Sequence, residues 1–91
     1  MKIYAYIEDI KGDIESNHRG LTRKSVIGKV IKTNEYSSAR VAINEQIEYG
    51  KSYKEYLPAI DGTLKNGKYF VAYNAKIRPA TEKEINDYLG K

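Results

Sequence analysis

The apolar residues of this chain fall into short runs with a period of two, separated by glycine, asparagine and serine. From Lys2 to Glu8, residues Ile3, Ala5 and Ile7 point one way, while Lys2, Tyr4, Tyr6 and Glu8 point the other. That alternation is the pattern of a half-buried β-strand. A second such stretch runs from Lys68 to Asn74, where Tyr69, Val71 and Tyr73 alternate with Phe70 and Ala72. Strands of this length need neighbours, and 91 residues supply one small domain in which to find them. With no cysteine, neither disulfides nor thiolate metal sites can reinforce so small a core.

Turn chemistry divides the rest. Residues 9–22 contain Gly12, Asn17 and Gly20 and read as a long loop. Ser25 to Thr33 is rich in β-branched residues and reads as a strand, with Gly28 a bulge or bend. A polar turn over Thr33–Ser38 leads into Ala39–Tyr49, where two periods fit. As a strand, Ala39, Val41, Ile43, Ile47 and Tyr49 share a face, broken by Glu45. As a helix over 38–49, Ala39, Ala42, Ile43 and Ile47 form the apolar stripe, with Ser38 as N-cap and Gly50 just past the end. The strand is favoured because a strand-turn-strand unit needs no long connection. Ser52-x-x-Glu55, followed by Pro58, suggests one short helical turn over Lys51–Leu57. Asp61-Gly62 and Asn66-Gly67 read as turns flanking a short strand at Thr63–Leu64. Thr81-x-x-Glu84 is a capping box, and Gly90 closes the pattern, so Glu82–Leu89 reads as a terminal helix. Its Ile85, Tyr88 and Leu89 would dock on the body.

The stretch Val26–Ile31, a polar turn and Ala39–Ile43 together resemble a hairpin of small SH3-like or KOW-type barrels. Lys76–Ile85 is similar to the tail after the last strand in some of them. The loop over 9–22 is longer than a minimal barrel has. The resemblance implies a mainly β fold with a C-terminal helix, SH3-like or OB-like. In an OB-type barrel a short helix lies between the third and fourth strands. An α+β fold with a central helix at 38–49 is the alternative. Such barrels bind nucleic acid, peptides or proteins, so the fold leaves the function open.

Charge is more pointed. The formal net charge is +4, unevenly placed. Residues 19–32 hold Arg19, Arg23, Lys24, Lys29 and Lys32 with no acid. A second basic run holds Lys65, Lys68, Lys76 and Arg78 against Asp61 alone. Brought together, the two make one positive face. Nine tyrosines against one phenylalanine and no tryptophan add stacking faces with polar tips. Tyr4 and Tyr6 share one side of the first strand, and Tyr69 and Tyr73 one side of the later one. Tyrosine is also the main aromatic available to fill a core.

Catalytic parts are missing from the pattern. His18 is the only imidazole, and the acids around Gly12 lack the calcium-loop spacing. Neither phosphate-loop motif occurs, nor a nucleophile elbow. The reading is a non-enzymatic binding domain with no cofactor or metal, engaging DNA or RNA through a basic, tyrosine-bearing face. The competing reading is an inhibitor from a phage or mobile element that binds a host protein or defence complex, the partner being an acidic or nucleic-acid-associated protein. No signal-peptide or membrane-spanning pattern is present, so a cytoplasmic setting is expected.

Overall fold

The computed structural model describes residues 3–91, so Lys2 of the first alternating run lies outside the described residues. Strand β1 (Tyr4–Ile10) opens the chain, followed by the two-residue β2 (Ile14–Glu15). A helical turn α1 (Arg23–Val26) and strand β3 (Val30–Lys32) come next. Helix α2 (Ser38–Tyr49), strands β4 (Leu57–Thr63) and β5 (Tyr69–Pro79), and helix α3 (Glu82–Leu89) complete it. The sheet order is β1-β3-β4-β5-β2, every pair antiparallel, and β5 also pairs with β1. Four strands therefore close a small barrel, with β2 outside the closure. Closure removes the free edges a four-stranded sheet would otherwise expose.

The core explains the alternation and its breaks. On β1, Ala5, Ile7 and Ile10 are buried, so the phase slips by one between Ile7 and Ile10. The pairing register with β5 shifts at the same place, between Ile7 and Asp9. On β5, Phe70, Ala72, Ala75 and Ile77 are buried, and the slip falls at Asn74, a non-glycine residue with φ 50°. Irregularities of this kind bend strands, and the bend lets so few strands close. Ile31, Ile43, Ile60 and Val26 are the other large side chains fully buried among the described residues. None of the nine tyrosines is buried, so the interior does not rely on them as its aromatic filling.

Two glycines carry backbone crossings. A Cβ on Gly12 would sit 2.5 Å from the Tyr73 carbonyl oxygen. The bare backbone instead lets the Gly12 amide donate to that oxygen at 2.9 Å, and the chain continues along β5 into β2. The stretch expected as a loop over 9–22 is thus strand-paired as far as Glu15. Gly62 lies inside β4 rather than in a turn. Its Cβ would meet Ile31 Cδ1 at 2.7 Å, so the missing side chain lets β4 press on β3. Asn66-Gly67 does make the β4–β5 turn, with the Gly67 amide donating to the Leu64 carbonyl.

Several expectations are corrected. Ala39–Tyr49 is helix, not strand: the Ser37 hydroxyl accepts from the Arg40 amide, and Gly50 closes the helix in the left-handed region. The N-cap is Ser37, one residue before the Ser38 expected. The helix wins because Ala39, Ala42 and Ile43 bury one face across β4 and β5, while Val41, Ile47 and Tyr49 are exposed. Ser25–Thr33 is not one strand. Thr22 and Ser25 cap each other reciprocally to form α1, Gly28 bends the chain, and only Val30–Lys32 is strand. The expected hairpin of 26–31 with 39–43 therefore does not exist. Lys51–Tyr56 forms no helix, and Thr63 is the last residue of β4, with Leu64 just beyond it, rather than the start of a strand of its own.

Helix α3 is as the capping box predicts. Thr81 Oγ1 accepts from the Glu84 amide, and the Glu84 carboxylate accepts from the Thr81 amide. It lies against β3 with Ile85 and Tyr88 half-buried, and the Tyr88 hydroxyl donates to the Thr63 carbonyl of β4 at 2.9 Å. Leu89, expected to dock, is 45% exposed.

Two substitutions test this architecture by urea unfolding. Gly12→Ala forces a methyl into the Tyr73 backbone and should cost about 1–3 kcal/mol. Ile43→Ala should cost about 2–5 kcal/mol, whereas Val41→Ala on the outer helix face should stay within about 0.5 kcal/mol. Equal costs at 41 and 43 would return this segment to the strand reading.

Candidate nucleic-acid interface

The two basic runs, some forty residues apart in sequence, meet across one groove. Its volume is about 870 Å³. From the first run it is lined by Leu21, Ser25, Gly28 and Lys29, and from the β4–β5 turn by Leu64, Lys65 and Lys68. Tyr6, Val30 and Tyr88 also line it, as do Glu84 and Asp87 of α3. Strands β3 and β4 pair through a single position, Lys32 with Thr63, next to this lining.

Tyr6 is held from behind. The Arg78 guanidinium carbon lies 4.0 Å from the Tyr6 ring centroid, a cation–π stack between directly paired residues of β1 and β5. Arg78 also makes a bidentate pair with Glu84, at 2.8 and 3.0 Å. This pair, with burial opposing it and the Thr81 cap assisting, holds the Glu84 carboxyl down to about 2. The same pair raises the Arg78 pKa. Of the two acids lining the groove, Glu84 is therefore already paired with a cation. Lys65 Nζ donates to the Asp87 carbonyl at 2.8 Å, which orients the lysine against the end of α3.

The remaining expected residues are distributed more widely. Arg19 and Lys24 are exposed, on the turn before Gly20 and on α1. Arg23 donates through Nη1 to the Lys11 carbonyl at 2.8 Å and ties α1 to the segment after β1. Lys32 is exposed at the β3–β4 junction, and half-buried Lys76 pairs across from Asp9. Tyr4 packs its ring 5.2 Å from that of Tyr88. Tyr69 and Tyr73 do not reach the groove. Their hydroxyls donate to Asp61 at 2.8 Å and Glu15 at 3.0 Å, and those hydrogen bonds raise both phenol pKa values. Tyr56 makes a similar bond to Asp9, which lowers the Asp9 pKa and raises its own.

Sequence reasoning missed Tyr88 and the apolar lining of Leu21, Val30 and Leu64. Tyr88 was legible only as a helix residue facing the body, and nothing local says that it comes beside the β4–β5 turn. Among the described residues, no group of three or more His, Cys, Asp or Glu side chains is placed to hold a metal ion. No helix among them is long and apolar enough to cross a membrane. No protein-family model matches the chain, and neither does any curated protein or solved structure.

The Glu84 pair gives a pH prediction. The folded pKa is depressed from 4.5, so its stabilisation is present above that value and is lost as pH falls toward 2. Glu84→Gln should cost about 1–2 kcal/mol at neutral pH, allowing for solvent screening. It should also flatten the stability curve between pH 4.5 and 2, as read by urea midpoints across that window.

Proposed function

We propose that this protein is a non-enzymatic nucleic-acid-binding domain built on an SH3-like barrel. For the barrel type, the support is the meander: β1, β3, β4 and β5 neighbour one another in order and close antiparallel. An OB-fold closes as a Greek key instead, although α2 does lie between β3 and β4, where an OB helix would.

For the function, one observation carries the reading. Lysines from both basic runs, Lys29 from the first and Lys65 and Lys68 from the second, line one groove with Tyr6, Tyr88 and the acids Glu84 and Asp87. Cations gathered on a concave surface suit a phosphate backbone, and tyrosine faces suit bases. The acidic side chains hydrogen-bonded to Tyr56, Tyr69 and Tyr73 do not line this groove.

Salt dependence tests it. Fluorescence anisotropy with labelled oligonucleotides should show log K falling linearly with log salt. The triple variant Lys29→Ala, Lys65→Ala and Lys68→Ala should bind more weakly and flatten the slope by about two to three units. Lys54→Ala, exposed and away from the groove, should leave the slope unchanged. Absence of binding to DNA and RNA at low salt would end the nucleic-acid reading.

A second reading, an inhibitor acting through contact with a host protein, is favoured by one feature. Tyr36 (90% exposed), Val41 (54%) and Tyr49 (76%) are large apolar side chains on or beside α2, and none of them lines the groove. Capture of one nuclease-resistant partner, abolished by Tyr36→Ser with Tyr49→Ser, would favour this reading.

A further inference from the structure

We propose that the groove takes an unpaired strand of nucleic acid rather than a duplex, with phosphates on Lys29, Lys65 and Lys68 and a base against Tyr6. This inference rests on the nucleic-acid reading above and narrows it.

Shape is the first argument. A duplex is a convex rod whose outermost groups are phosphates and whose base faces are stacked inside. The lysines here line a concavity together with the apolar Leu21, Val30 and Leu64. A rod resting on the lysines leaves those apolar side chains uncovered. A single strand can keep its phosphates on the lysines and turn a flat base inward.

Readers of the duplex major groove insert a helix or ribbon into it, and this fold offers none of the right charge. Helix α1 is a single turn of four residues. Helix α2 carries Arg40 against Glu45 and Glu48, and α3 carries Lys83 against Glu82, Glu84 and Asp87. Strand β2, the strand outside the closure, is two residues long and ends in Glu15.

Tyr6 supplies the stacking platform. Arg78 covers one face of its ring, and Arg78 is itself fixed by Glu84, so the ring is held in place before a ligand arrives. Pre-ordering of this kind lowers the entropic cost of stacking. Gly28 borders the phenol end: even a Cβ there would lie 3.6 Å from the Tyr6 hydroxyl oxygen, so the glycine leaves the approach to the ring open.

The experiment compares labelled oligothymidine and oligouridine 12-mers with a hairpin duplex in the same low-salt buffer. A parallel strand carries 2-aminopurine, whose fluorescence falls on stacking. Single strands should bind at least about tenfold more tightly than the hairpin, and the thymidine and uridine arms tell DNA from RNA. Tyr6→Phe should keep both affinity and quench. Tyr6→Leu should lose about tenfold in affinity and most of the quench, with an unchanged salt slope, because stacking releases few counterions. Far-UV circular dichroism checks that both variants are folded. If the hairpin binds as tightly as the strands, with a lysine-dependent slope, the single-strand inference fails while the nucleic-acid reading stands. If neither binds at any salt, both fail. A folded Tyr6→Leu protein with wild-type affinity and quench overturns the role of Tyr6.

Discussion

The return of β5 to β1 is the contact on which the rest of the molecule depends, and Arg78 is its fastening. It pairs with Tyr6 in the ladder, stacks on the Tyr6 ring, and then grips Glu84 with both terminal nitrogens. Glu84 in turn caps α3 by accepting from the Thr81 amide. One guanidinium thus joins barrel closure, the orientation of an aromatic ring and the start of the terminal helix. Without that helix Tyr88 would not cover Thr63, and the groove would lose one side. Since a bidentate arginine pair is geometrically demanding, closure and helix docking should fail together rather than in stages.

Features set by local chemistry were legible in the sequence. The first strand, the Asn66-Gly67 turn, the long late strand and the capped terminal helix each depend on neighbours within a few residues. The losses came where tertiary packing decided between two admissible patterns. Ala39–Tyr49 supports both periods, and only the face covered by β4 and β5 selects the helical one, burying Ala42 and leaving Val41 in water. Likewise, β-branched Val26 and Ile27 suggest a strand, yet the Thr22–Ser25 cap starts a helical turn that buries Val26. A serine in the third position of a capping box is a weaker signal than a glutamate, so the turn was hidden. Gly62 was misread because Asp-Gly usually marks a turn; here the glycine serves a close strand crossing, which no local pattern reports.

The site divides in the same way. Both basic runs were visible as charge, but their meeting is a product of closure. Only when the β4–β5 turn is carried round beside Gly28 and Lys29 do Lys65 and Lys68 face the first run. Tyr6 belongs to that surface because it is paired with Arg78. Tyr69 and Tyr73, with the same alternation, belong elsewhere: their hydroxyls donate to Asp61 and Glu15, and neither lines the groove. The partners met along the strands, which alternation alone does not report, therefore separate a tyrosine set that period-two reasoning treats as uniform.

The small core accounts for the large aromatic surface. Six of the fifteen buried hydrophobic residues are alanines, and Phe70 is the only buried aromatic. Four short strands enclose too little volume for more, so an interior of alanine and isoleucine is what this closure can hold. Rings excluded from such an interior must lie across the outside of the sheet, half covered by one another or by charged stems. Three of them meet carboxylates, and their hydroxyls donate to Asp9, Asp61 and Glu15. Tyr6 instead meets the Arg78 guanidinium. The same packing limit that makes the barrel tight thus leaves the outer tyrosines in chemically different surroundings, three bonded to carboxylates and one stacked on a guanidinium.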